Sequence, residues 1–87
     1  MPTISLFWHI TIMMFWNEHV PPHFHVRTKD GMKASIDIRT LEVLEGDLKR
    51  KTLRVVQDWA ELHQAELLVN WDLCRQDKAP NPIAPWE

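Results

Sequence analysis

The chain has 87 residues, 45% of them apolar and 25% charged, with a formal charge of −2 and a single cysteine, Cys74. That is the size and composition of one soluble domain, expected to span 1–87, near the small end of what folds without staples. It excludes an internal disulfide, shows no basic excess of the kind nucleic acid attracts, and offers no apolar run long enough to span a bilayer.

From Ile4 to Trp16, the residues Ile4, Leu6, Trp8, Ile10, Ile12, Met14 and Trp16 share one parity. Period two predicts a strand with the even positions facing the core, and its length predicts a bend or bulge near His9. The next segment, Asn17 to His25, packs three of the chain's five histidines beside Glu18 and a Pro21-Pro22 pair. Proline has a fixed φ and restricts the residue before it, so this loop should be rigid. Two alternating runs follow, His23 to Arg27 and Ala34 to Arg39, separated by a segment containing Lys29-Asp30-Gly31. A three-residue loop with Gly31 in the left-handed region sets Phe24 opposite Ile36 and Val26 opposite Ala34. Register follows the hydrophobic face, so this arrangement is expected over a two-residue Asp-Gly turn. It places His23 opposite Asp37 and His25 opposite Ser35 on the polar side.

Leu41 to Leu44 read as a short strand, and Asp47 as the N-cap of a helix. Apolar positions then recur at threes and fours from Leu53 to Cys74, which predicts an amphipathic helix over about 48–76. Straight, it would be roughly 43 Å long, against about 30 Å for the diameter of a domain this size. Either it breaks near His63-Gln64 or its end projects to pack on another chain, which would make a homodimer through the long helix. With no Gly or Pro inside it, one continuous or kinked helix is favoured. The tail over 77–87 is rich in proline and is expected to be extended. The fold class is therefore α+β, with a small, mainly antiparallel sheet of three to four strands packed on one long or broken helix.

His23 and His25, two apart on a strand, present both imidazoles on one face. With His19 or Glu18 from the loop and Asp37 across the ladder, they could supply a ligand set for Zn²⁺ or another divalent ion, although no metal is favoured. A metal-free reading makes His23 or His25 a general acid or base oriented by Asp37. Arg27 or Arg39 would then hold an anionic group, as a nuclease acting on a phosphodiester requires. Against both stands a reading in which the histidines only rigidify the turn. Lys49, Arg50, Lys51 and Arg54 form the one dense basic cluster, at a predicted helix start where cations oppose the macrodipole. An acidic protein or a phosphate would relieve that, so Lys49 and Arg50 join the candidate substrate contacts. With only Gly31 and Gly46, no glycine-rich phosphate loop can form. Cysteine usage fits a reducing cytoplasm.

Taken end to end, the chain resembles the small bacterial family catalogued as domain of unknown function 4160. The matching residues include Ile10-x-Ile12-x-Met14, Glu18-His19-x-Pro21-Pro22-His23-Phe24-His25, Ala34-x-Ile36-Asp37-Ile38 and Leu41-Glu42-Val43-Leu44-Glu45-Gly46. Trp59-Ala60-x-Leu62-His63-x-x-Glu66-Leu67, Asn70-Trp71 and Ile83-x-Pro85 continue it. His9 departs from it, where the family is expected to have glycine. The resemblance implies the toxin-side component of a two-gene toxin–antitoxin module, neutralised by a small cognate antitoxin-like protein, with a regulatory or nuclease label. His19, His23, His25 and Asp37 carry over as its chemically capable positions. The leading expectation is thus a toxin-side protein that cleaves nucleic acid with His23 and His25. The alternatives are a non-catalytic interaction module and a divalent-metal-binding domain.

Overall fold

The computed structural model describes residues 2–86. Met1 and Glu87, the ends of the expected domain and tail, lie outside the described residues. Five strands run in order: β1 (Thr3–Phe7), β2 (Ile10–Met13), β3 (His23–Thr28), β4 (Lys33–Asp37) and β5 (Val43–Gly46). Two helices follow, α1 (Arg50–Leu62) and α2 (Gln64–Arg75). The strands form one antiparallel meander in the order β1-β2-β3-β4-β5. The α+β class is as expected, but the sheet has five strands rather than three to four.

The additional strand comes from the first alternating run, which is a hairpin and not one long strand. Trp8 turns the chain at φ 55, so β1 folds back on β2 with Phe7 opposite Ile10. A register shift between Thr3 and Ser5 reverses the parity of β1. Phe7 therefore joins Ile10 and Ile12 in the core, while Leu6 and Trp8 are left exposed. The last strand is also displaced, to Val43–Gly46, because Leu41 takes a left-handed φ of 63 and delays pairing.

The expected single helix is two, broken at His63, whose φ of −120 leaves the helical region. A straight rod would overrun a molecule measuring 33 × 25 × 22 Å, and the break lets α2 stay on the sheet. The Gln64 side chain fixes the junction by donating to the carbonyls of Ile38 and Arg39. Asp47 does not cap α1. Lys49 occupies that position without a side-chain cap, and the Asp47 amide donates to the Lys33 carbonyl. Trp59 is fully buried and packs against Phe7 and Phe24, joining α1 to β1 and β3.

Residues 77–86 form neither helix nor strand and are tied down by side chains. Trp59 Nε1 donates to the Ala84 carbonyl at 2.9 Å. Buried Asn70 donates to the Asn81 carbonyl and accepts from its amide. Trp16 Nε1 donates to the Lys78 carbonyl, and the Asn17 amide group donates to Asp77 Oδ1 at 2.7 Å.

Candidate functional site

The β3–β4 hairpin has the register expected from its hydrophobic face. Phe24 pairs with Ile36 and Val26 with Ala34, and Gly31 turns the loop at φ 89. Side chains alternate along a strand, so burial of Phe24 and Val26 at 0% and 1% exposure leaves His23, His25, Ser35 and Asp37 facing the other way.

Of these, the two histidines come together with Glu18 from the β2–β3 loop. The imidazole centroids lie 5.1 Å apart. His25 Nε2 is 2.6 Å from Glu18 Oε1, and His23 Nε2 is 3.3 Å from Glu18 Oε2. One ligand atom from each residue lies within 4.8 Å of the others. His23 Nδ1 is 2.8 Å from the Pro21 carbonyl, which can only accept, so the ring donates there. His25 Nδ1 meets the Ser35 hydroxyl at 3.3 Å, a partner that can donate or accept. The His25 ring is held on its other side by Phe15, with centroids 4.4 Å apart, and His23 packs beside Trp71 at 5.2 Å. The side chains of His23, His25 and Glu18 are 12%, 22% and 25% exposed, enough for a small ion or molecule to reach them.

Asp37 does not join them. Its register opposite His23 is as expected, but its carboxylate accepts from the amides of Arg39 and Thr40 at 2.7 and 3.0 Å. It closes the turn after β4, and the carboxylate between the imidazoles is Glu18. His19 is exposed and lines the same cleft, of about 320 Å³, with Glu18, His23, His25, Ser35 and Glu45. Arg27 lies one step along β3 from His25 on the same face. Arg39 lines a separate cleft beside Pro21 and Trp71. Lys49 forms an ion pair with Asp30 at 3.1 Å. The Asp30 carboxyl is held below its ordinary value by the Thr28 hydroxyl and then by Lys49. Arg50 lies on an exposed face of α1, away from the lining of the histidine cleft.

Ser35, Phe15 and Glu45 were not singled out as site residues from the sequence. The expected β3–β4 register placed Ser35 opposite His25, which was the available signal. Phe15 and Glu45 come in through the β2–β3 loop and the displaced β5. Cys74 is buried, and burial, followed by the field of Glu18, pushes its thiol up, so it stays protonated beside the cluster.

Among the described residues, no helix is long and apolar enough to cross a membrane. The model of one protein family, described as Domain of unknown function (DUF4160), matches residues 10–72. No curated protein and no solved structure matches the chain.

Proposed function

Since the chain belongs to the family Domain of unknown function (DUF4160), whose description assigns no activity, we propose its function from the site: it binds a divalent transition metal through Glu18, His23 and His25. The observation that carries this reading is the convergence of Glu18 with both imidazoles, one ligand atom of each lying within 4.8 Å of the others. With its proton directed at Pro21, a neutral His23 presents the Nε2 lone pair to a carboxylate oxygen 3.3 Å away. Such a contact is favourable only with a cation between the two atoms, either a proton or a metal. The Pro21 carbonyl is the kind of second partner that orients a metal-binding imidazole. Ser35 can play the same part for His25 by accepting from Nδ1.

The spacing supports the same conclusion. Tetrahedral zinc bonds of about 2.0–2.1 Å put neighbouring ligand atoms roughly 3.3 Å apart. The His23–Glu18 contact has that length, and the 2.6 Å His25–Glu18 contact opens to it by a small rotation of the glutamate. Two histidines and one carboxylate leave coordination positions for water, the set found in catalytic zinc and non-haem iron centres. A metal held by Glu18, His23 and His25 would lower the pKa of a bound water and so supply a nucleophile for hydrolysis.

The test is metal analysis of protein purified without an affinity tag. Near-stoichiometric metal is expected in the wild type, with at least a tenfold loss of affinity in Glu18→Gln and His25→Ala. A wild type that retains no zinc, iron or manganese on equilibration would overturn the reading.

A toxin-side role in a cytoplasmic toxin–antitoxin pair is carried as a second proposal. It is supported by the edge position of β5, where the exposed Val43 and Leu44 offer apolar contacts beside the cleft to a small cognate protein. Growth arrest on expression, relieved by the neighbouring gene, is expected. Unimpeded growth at high expression contradicts it.

A further inference from the structure

We propose that the groove adjoining the Glu18–His23–His25 centre binds a nucleotide-type phosphate ester, with Arg27 and Lys33 holding the phosphate and Phe15 beside the base. As an assignment of substrate class to the metal centre, it rests on the metal reading. As a binding site, it stands on the following geometry.

Arg27 and Lys33 are direct partners in the β3–β4 ladder, one step along from the His25–Ser35 pair. Both are exposed, and neither forms an ion pair among the described residues. Directly opposed side chains have Cβ atoms about 4.5–5.5 Å apart, and like charges there repel. One phosphate between the two cations removes the repulsion and accepts hydrogen bonds from both.

The two cations belong to a groove of about 320 Å³ walled on its apolar side by Phe15 and Met13, with the strand backbone at Val26 and Ala34 beneath. Phe15 is partly exposed and packs at a tilt against the His25 ring, so an aromatic surface lies beside the cations where a planar base can rest. His25, Ser35 and Glu45 line both this groove and the cleft of the metal centre, so the two are continuous. Two residues along a strand span about 6.6 Å, so a phosphate between Arg27 and Lys33 lies within one nucleotide's reach of His25. Glu45 is the only carboxylate on the groove wall and is opposite Ser35, so the cationic pair is the place for an anion.

The experiment is an NMR titration of the ¹⁵N-labelled full chain, with and without Zn²⁺. The probes are inorganic phosphate, adenosine monophosphate and a short single-stranded oligonucleotide. Adenosine monophosphate is expected to shift amides around Phe15, Arg27 and Lys33 and to bind at least tenfold more tightly than inorganic phosphate. The double variant Arg27→Gln, Lys33→Gln should weaken it about tenfold or more, with metal content and circular dichroism unchanged. Tighter binding of the oligonucleotide supports the groove and identifies a strand as the source of the phosphate, whereas equal binding supports it and identifies the free nucleotide. Shifts confined to Arg50, Lys51 and Arg54, or a double variant that binds as the wild type does, overturn the proposal. Binding in the groove by a protein that takes up no metal supports the site and overturns only the metal reading.

Discussion

The Pro21 carbonyl selects the nitrogen with which His23 faces Glu18, because a carbonyl can only accept and so holds a ring proton on Nδ1. Asp37, the carboxylate in register with His23, serves two backbone amides instead. Its replacement separates a structural from a chemical role. Asp37→Ala leaves two amides without their acceptor and is expected to lower stability by about 1.5–3 kcal/mol. Asp37→Asn keeps the accepting oxygen and should fold and bind metal nearly as the wild type does. Urea unfolding and metal titration of both variants check this. Gly46 is constrained more severely. At φ +81, a Cβ would lie 2.2 Å from the Lys33 carbonyl oxygen and 2.9 Å from the Ala34 Cα, both backbone atoms. Gly46→Ala is therefore expected to cost about 3 kcal/mol or more, seen as a lower urea midpoint, whereas Gly31→Ala meets no atom within 4 Å and carries only its φ strain.

At the scale of elements, the β3–β4 hairpin could be read from sequence because Phe24, Val26, Ala34 and Ile36 can share a buried face in only one register. The β1–β2 hairpin could not. Alternation does not distinguish one strand from two when the turn falls on Trp8 and His9 with no glycine, asparagine or aspartate to mark it. The helix break was visible as a mismatch of lengths, but without Gly or Pro at His63 the local signal pointed to continuity. For the site, period two delivered His23 and His25, while the reach of Glu18 depends on a loop path that no periodicity encodes. The tail is an element of its own kind, held by side chains and by the bond from the Ile83 amide to the Ile4 carbonyl in place of a full ladder. Asn70→Ala removes both bonds from buried Asn70 to exposed Asn81 and is expected to cost about 1–3 kcal/mol. Hydrogen exchange should then rise across 79–86 before it rises in the sheet, and uniform exchange throughout would contradict it.

As a whole molecule, the protein is small enough for one ion to matter to its stability. On the proposed metal reading, zinc at a hundredfold excess over its dissociation constant would add about 2.7 kcal/mol, and for a domain of this length that would raise Tm by roughly 10–20 °C. The rise should vanish with a chelator and be absent in His25→Ala. A wild-type Tm indifferent to zinc would contradict it. The mooring of the tail bears on this dependence. Trp16 and Asn17, the residues immediately before Glu18, are fastened to Lys78 and Asp77, while both imidazoles ride on β3. Two of the three proposed ligands are thus anchored by the ladder and the third by residues 77 and 78. A protease clipping near residue 77, or a competitor peeling that segment away, would set the glutamate adrift and discharge the ion while the sheet still stood.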